Sequence, residues 1–159
     1  MNENPQIAVQ VGSTAPRLEL PDASGQIIRL TDYAGRVVVV YFYPKAGTAG
    51  CTAEACAFRD DYETFKDLSA EVIGVSSDTV AELRAFAATN RLPFKLLSDE
   101  HGVARREWGV PRDAWILPGR VTYVIDRQGI VRHVFRSAIR MRKHVDEAAR
   151  VVKRLAITK

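Results

Sequence analysis

The sequence has no apolar run long enough to form a membrane-spanning helix. The longest apolar stretch covers residues 37–43, and Pro44 ends it. A membrane-spanning helix needs about twenty apolar residues, so we expect no segment that crosses a bilayer and no membrane partner. The first residues, MNENPQ, are polar and do not lead from a basic start into an apolar stretch. We therefore expect no secretory signal and a cytoplasmic location.

Cysteine is also scarce, with one residue at Cys51 and one at Cys56. Two cysteines are too few for the disulfide framework of a small secreted protein. They are also too few for a structural zinc site, which takes four ligands. His101, His133 and His144 are far from the cysteines and lack ligand spacing, so we predict no metal and expect each histidine at the surface. The cysteine pair is therefore either redox-active or incidental.

Chain length and charge distribution limit the number of domains and the kinds of partner that we expect. With 159 residues, 47% apolar and 26% charged, the chain is expected to form one domain over residues 1–159. Residues 1–100 carry 9 basic and 14 acidic side chains, whereas residues 101–159 carry 14 and 5. A basic C-terminal third is compatible with nucleic acid or an acidic partner. No zinc finger, RNA-binding aromatic pattern or glycine-rich loop accompanies it, so we favour a solvated face and predict no nucleic-acid partner.

The hydrophobic pattern predicts alternating strands and helices. Strands are predicted as two short segments within 17–30, and at 37–43, 71–77, 94–99 and 121–135, the last as a hairpin. Helices are predicted at 51–69, 79–90, 100–108 and 143–155. Asp78 or Thr79 is expected to cap the second of these helices. This order predicts an α/β fold, a thioredoxin-like sandwich with a central mixed sheet flanked by helices and an N-terminal β-hairpin extension.

Cys51 stands where the central strand leads into a helix. Ligands of α/β sheets bind beyond the carboxyl ends of the strands, where helix N-termini meet the crevice. In the first helical turn, unpaired backbone N–H groups and the helix dipole favour a thiolate, which is the reactive form of cysteine. The pattern therefore favours a reactive Cys51 over an inert buried thiol.

Cys56 is expected inside the same helix, five residues further on. In an intact helix the two Cα atoms would lie about 8.6 Å apart. An unstrained disulfide needs a Cα separation below about 7 Å, so the helix must unwind before the two cysteines can bond. A thiolate with a resolving thiol nearby is typical of sulfenic acid chemistry.

The segment around Cys51 resembles the active site of the peroxiredoxins. That family places a proline, three residues, a threonine or serine, two residues and then the reactive cysteine, and Pro44, Thr48 and Cys51 match this spacing. The second cysteine at Cys56 resembles the peroxiredoxin Q group, also called bacterioferritin comigratory protein. The likeness extends over about residues 10–155. Further similar stretches are IGVSSD, LPFKLLSDEHG, LPGRVTYVIDRQGIVRHVF and KHVDEA.

The resemblance implies a thiol-dependent peroxidase that needs no cofactor. Cys51 would attack the peroxide and become a sulfenic acid, and Cys56 would then form an intramolecular disulfide with it. Thioredoxin or a similar dithiol protein would reduce this bridge. The substrates implied are hydrogen peroxide and small organic hydroperoxides, and the role is antioxidant defence. Because the group is often monomeric, a monomer is expected.

The resemblance also assigns supporting residues. Thr48 would hydrogen-bond the thiolate and the peroxide, although it also suits a helix cap. Pro44 would exclude water and fix the loop, and the same residue suits a plain strand end. Arg120 would stabilise the thiolate and the leaving oxygen. Glu54 would join this network or simply favour the helix dipole. Ala49 stands where the family commonly has proline, which leaves the pose of Thr48 open.

Other functions stay open at this stage. A thioredoxin-fold disulfide oxidoreductase is the main alternative, and it would be expected to carry Cys-x-x-Cys, which this chain lacks. A copper-delivery protein would need a closer cysteine pair and a suitably placed histidine. An interaction module or chaperone that uses the basic C-terminal surface would function without either cysteine.

Overall fold

The computed structural model describes residues 9–110, 112–113, 117–118 and 120–157. The strands are β1 (Glu19–Pro21), β2 (Ile27–Arg29), β3 (Val37–Phe42), β4 (Ala70–Ser76), β5 (Lys95–Ser98), β6 (Arg112–Asp113), β7 (Leu117–Pro118), β8 (Val121–Ile125) and β9 (Val131–Arg136). The α-helices are α1 (Ala49–Asp60), α2 (Tyr62–Asp67), α3 (Val80–Asn90), α4 (Val103–Glu107) and α5 (Met141–Ile157). A 3-10 turn covers Leu30–Tyr33.

The central sheet is mixed, with strand order β5-β4-β3-β8-β9. β3 lies in the middle, parallel to β4 and antiparallel to β8. All six residues of β3 are buried, which is what a continuous apolar strand covered on both faces predicts. β1 and β2 form a separate antiparallel pair. The predicted sandwich, its mixed sheet and its N-terminal hairpin are therefore confirmed.

The side chains of β3 alternate between two hydrophobic cores. Val39 and Tyr41 belong to one core, together with buried residues of α1 and α5. Val40 and Phe42 belong to the other core, together with Trp108. Because strand side chains alternate in direction, this one strand anchors α1 and α5 on one face of the sheet.

Some element boundaries differ from the prediction. The helix predicted over residues 51–69 is two helices, since α1 ends at Asp60 and α2 begins at Tyr62. Asp61 between them has φ −97° and ψ 4°, and aspartate is a weak helix former. Thr79 caps α3, as expected, by accepting a hydrogen bond from the Glu82 N–H at 3.2 Å.

The expectation of one domain over residues 1–159 stays a prediction, because both ends of the chain lie outside the described ranges. Within those ranges, no helix has the length and apolar character needed to cross a membrane.

Candidate active site

The loop between β3 and α1 is tied to the segment that follows β4. Pro44 lies two residues after β3 and is half-buried, and its carbonyl accepts a hydrogen bond from the Ser77 hydroxyl at 3.2 Å. The Ala46 N–H donates to Asp78 Oδ2 at 2.6 Å. Neighbouring parallel strands end at the same edge of the sheet, so these bonds fix the loop from which α1 starts.

Thr48 is the N-cap of α1, in an extended conformation with φ −78° and ψ 153°. Its hydroxyl donates to the Lys45 carbonyl at 3.0 Å. Among the residues that the structure describes, its side chain makes no hydrogen bond to the N–H groups of the helix, nor to Cys51. A hydroxyl has one proton to donate, so the proposed contact with thiolate or peroxide requires rotation of this exposed side chain. That role of Thr48 stays a prediction.

Cys51 lies in the first turn of α1, and its side chain is 1% exposed. The Arg120 guanidinium faces it, with Nη2 donating to Cys51 Sγ at 3.4 Å. The Nη1 atom of the same group donates to Glu54 Oε1 at 2.7 Å. Arg120 directly precedes β8, which pairs with β3, so sheet pairing carries it to the start of α1. The structure therefore brings Cys51, Glu54 and Arg120 together, as the resemblance implies.

Gly50 lets two side chains approach the first turn closely. A Cβ atom at this position would lie 2.8 Å from Met141 Cε and 3.3 Å from Arg120 Nη2. The first of these distances is too short for a real contact. The missing side chain at Gly50 therefore makes room for both Met141 and the arginine that contacts Cys51.

The charges of the site influence one another. Burial raises the pKa of Glu54 to about 7, although the positive charge of Arg120 acts in the opposite direction. Burial opposes the charged form of Arg120, but Glu54 and Cys51 beside it raise its pKa above the ordinary value. Arg120 is thus a permanent buried cation, whereas the Glu54 carboxyl can change its charge near neutral pH.

His144 is a site residue that the sequence analysis missed, and its predicted surface location is wrong. Its side chain is 0% exposed, and its Nδ1 lies 2.8 Å from Thr122 Oγ1 and 3.6 Å from Glu54 Oε2. Burial lowers the pKa of His144 to about 4, so the ring is neutral at physiological pH. Helical spacing was the available signal, because His144 lies four residues before the buried Ala148.

Cys56 has different surroundings from Cys51. It is half-buried on α1, and its thiol donates to Asn90 Oδ1 at 3.7 Å. Arg59 strengthens this contact between helices, since its Nη1 donates to the Asn90 carbonyl at 2.8 Å. Both cysteines are free in the described part of the chain, and α1 is intact between them. The thiols therefore cannot bond in this conformation.

Metal chemistry has no visible ligand set at this site. Across the described ranges, no three or more histidine, cysteine, aspartate or glutamate residues are grouped so that they could hold a metal ion. The arrangement instead places the Cys51 thiol against the buried Arg120 guanidinium.

Comparison with known proteins identifies the family. Residues 11–134 match the AhpC/TSA family. The chain is 47% identical over 148 residues to a chloroplastic peroxiredoxin Q of Triticum aestivum, covering 92% of this chain and 68% of the wheat protein.

Solved structures agree with this likeness. Peroxidoxin BcpB of Mycobacterium tuberculosis superposes with a TM-score of 0.86 at 36% identity, over 92% of this chain and 98% of that one. The bacterioferritin comigratory protein of Xanthomonas campestris gives a TM-score of 0.83 at 27% identity, over 93% and 98%. The chain therefore belongs to the AhpC/TSA family and, within it, to the peroxiredoxin Q group of thiol peroxidases.

Proposed function

We propose that Cys51 is the peroxide-reducing residue of this peroxidase, that Cys56 resolves it, and that Arg120 stabilises the reacting charges. The observation that carries this proposal is the Arg120 guanidinium, which contacts both Cys51 Sγ and Glu54 Oε1. A cation fixed beside a buried thiol stabilises the thiolate and the negative charge that develops on the leaving oxygen.

The first half of the reaction forms a sulfenic acid. The Cys51 thiolate attacks one oxygen of the peroxide ROOH, so that a sulfur–oxygen bond forms and the O–O bond breaks. The leaving RO⁻ takes up a proton and departs as an alcohol, or as water when R is hydrogen. Sulfur is oxidised and the peroxide is reduced by the same two electrons.

The second half forms the disulfide. The Cys56 thiolate attacks the sulfur of the sulfenic acid, the S–S bond forms, and hydroxide leaves and is protonated to water. α1 must unwind between the two residues for this attack, and the Cys56–Asn90 contact must break. A half-buried Cys56, held by one weak thiol hydrogen bond, supports this rearrangement.

The substrate and the reductant follow from the same chemistry. We propose hydrogen peroxide and small alkyl hydroperoxides as substrates, since the bacterioferritin comigratory protein of Xanthomonas campestris is described by its alkyl peroxide reduction activity. A dithiol protein of the thioredoxin type would reduce the Cys51–Cys56 bridge by thiol–disulfide exchange. Pro44 and Thr48 would shape the peroxide pocket at the start of α1.

We further propose that the enzyme acts as a monomer in the cytoplasm. A cycle that passes through free thiols and a dithiol reductant suits a compartment that keeps thiols reduced. Light scattering on the reduced chain tests the first point, with 17.7 kDa expected for a monomer. Fractionation of the source cells tests the second, and recovery in an oxidising compartment would contradict it.

The decisive experiment is a stoichiometric hydrogen peroxide titration of the reduced protein, read by intact mass and by free-thiol count. We expect the loss of both thiols and of two protons in mass at about one peroxide per chain. The Cys56→Ser variant is the matched control, and it should add one oxygen and stop. If both thiols survived excess peroxide for seconds, the proposal would fail.

A further inference from the structure

Within the described residues, one of the two oxygens of the Glu54 carboxyl accepts a hydrogen bond and the other does not. Its Oε1 accepts the hydrogen bond from Arg120, whereas its Oε2 has no hydrogen-bond partner among the described residues, although the side chain is fully buried. The neighbouring polar atom is His144 Nδ1, at 3.6 Å. Burying a carboxylate oxygen without a hydrogen-bond donor costs free energy, so the surroundings of Oε2 disfavour the ionised form of Glu54.

The proton positions on His144 follow from its partners. Its Nε2 lies 2.8 Å from the Ser137 carbonyl, which can only accept, so Nε2 carries the proton. In the neutral ring, Nδ1 then offers one lone pair. The Thr122 hydroxyl, 2.8 Å away, donates to that lone pair. Glu54 Oε2 therefore faces an acceptor atom, which disfavours the carboxylate, and a protonated Glu54 carboxyl competes with the Thr122 hydroxyl for the Nδ1 lone pair.

The other groups around this pair leave Arg120 as the cation in direct contact with Glu54. Tyr41 of β3 faces the site, and burial raises its pKa well above the ordinary value, so it stays neutral. Phe135 of β9 packs edge-on against the His144 ring, with ring centroids 4.7 Å apart. Cys51 of α1 is the second group that competes for the Arg120 charge.

Charge balance links the pair to the reacting sulfur. When Glu54 and Cys51 are both ionised, two buried anions share one guanidinium. When Glu54 is protonated, the guanidinium serves the Cys51 thiolate alone and compensates it fully. The ionisation of Glu54 therefore weakens the support that Arg120 gives to the thiolate and to the leaving oxygen.

We propose that His144 is a positioning residue of the peroxidase, which holds Glu54 in its neutral form through Nδ1 and so keeps Arg120 available to Cys51. This inference rests on the roles proposed above for Cys51 and Arg120. It predicts that peroxide reduction slows as pH rises through the ionisation of Glu54. It also predicts that the Thr122 hydroxyl, which competes for the same lone pair, favours the ionised form of Glu54.

Two variants should move the ionisation of Glu54 in opposite directions. His144→Phe keeps a ring against Phe135 but removes the acceptor, so the pKa of Glu54 should fall by about one unit. Thr122→Val keeps the shape of the side chain but removes the competing hydroxyl, so the pKa of Glu54 should rise by a similar amount. A merely structural role of His144 predicts no such opposition.

The test uses the reduced full chain carrying Cys56→Ser, with the side-chain carboxyl of glutamate labelled with ¹³C. NMR titration measures the pH at which Glu54 is half ionised. Stopped-flow kinetics measure the rate at which hydrogen peroxide oxidises Cys51 across the same pH range. We expect the rate to decline around the pH at which Glu54 ionises. This pH should be lower in His144→Phe and higher in Thr122→Val than in the wild type. Glu54→Gln should abolish the decline. His133→Gln is the matched control and should change neither readout, since the ion-pair partner of His133 is Glu147 at 3.2 Å and not Glu54.

The outcomes separate this proposal from the function on which it rests. Equal Glu54 midpoints in all variants would overturn the pairing with His144, and Thr122→Val alone would suffice if His144→Phe failed to fold. Midpoints that move without a matching change in the rate profile would overturn the coupling through Arg120. A wild-type chain whose Cys51 does not react with peroxide would overturn the proposed function and the kinetic half of this proposal, whereas the NMR titration would still decide the pairing.

Discussion

Cys51 and Cys56 lie on one helix, yet their surroundings differ in almost every respect. Cys51 is fully buried in the first turn and faces a network of charged groups that begins with Arg120. Cys56 is half-buried further along α1 and contacts the neutral amide of Asn90. The first environment places a buried cation beside the thiol, and the second holds the thiol by a weak hydrogen bond. The difference supports the proposal that Cys51 attacks the peroxide and that Cys56 resolves the sulfenic acid.

The largest contrast should come from removing each thiol in turn. Cys51→Ser should abolish peroxide consumption, because a serine hydroxyl is not a thiolate nucleophile. Cys56→Ser should keep the first oxidation at the wild-type rate and then stop, until a small thiol is added. Stopped-flow and steady-state peroxide assays measure the two effects. A Cys51→Ser chain that still turned over would reverse the assignment.

Arg120→Lys tests whether the cation beside Cys51 must carry two separate donor nitrogens, one for Cys51 and one for Glu54. Lysine keeps the charge but cannot hold Sγ and Glu54 Oε1 with two separate nitrogens. The rate constant of Cys51 with hydrogen peroxide should fall by about 10²–10³-fold, the usual effect of losing one preorganised donor. Alkylation of Cys56 by iodoacetamide in a Cys51→Ser background should not change. Faster alkylation of Cys56 in the Arg120→Lys chain would indicate general damage to the fold, because unfolding exposes this half-buried thiol.

The pH dependence of stability should also separate the two environments. Burial raises the pKa of Glu54 from 4.5 to about 7, so the folded state binds the extra proton between these values and stability falls as pH rises through this window. His144 acts in the opposite direction, because its pKa is lowered from 6.5 to about 4 and stability rises with pH across that window. The two contributions oppose each other in the wild type.

Glu54→Gln should leave the His144 contribution uncompensated. Its free energy of unfolding, measured with urea, should rise between about pH 4 and 6.5 by an amount on the order of 2 kcal/mol relative to the wild type. Asn90→Ala, on the Cys56 side, should shift stability equally at every pH. Parallel curves for wild type and Glu54→Gln would contradict the pKa assigned to the carboxyl.

The smallest effect should come from the bond that holds Cys56. Asn90→Ala removes the acceptor of its thiol and should speed disulfide formation about 2–5-fold, as expected for one weak hydrogen bond. Thr89→Ala, on the exposed face of the same helix, is the matched control. Quenched-flow mass spectrometry after one equivalent of peroxide measures the rate. A slower bridge in Asn90→Ala would mean that Asn90 guides Cys56 rather than restrains it.

The fold was predictable because the continuous apolar run of β3 marks the central strand and the other strands and helices follow in a regular order, whereas parts of the site were not predictable. The break at Asp61 was missed because apolar spacing continues from α1 into α2 and carries no sign of a local change in backbone direction. Arg120 lies 69 residues from Cys51, and only the resemblance could select it among many basic residues. His144 was missed because a polar side chain in a helix was assigned to solvent, although its spacing matches the buried stripe.

The start of α1 has a consequence for the lifetime of the enzyme. Within the described residues, Thr48 makes no side-chain bond to its helix, whereas Thr79 and Glu82 close a reciprocal pair at the start of α3. A sulfenic acid that waits for its partner can meet a second peroxide and become a sulfinic acid, which a thiol cannot reduce. An α1 that unwinds readily shortens this wait. We therefore expect the missing cap at Thr48 to ease unwinding of α1 once Cys51 is oxidised, and so to limit inactivation of the peroxidase by its own substrate.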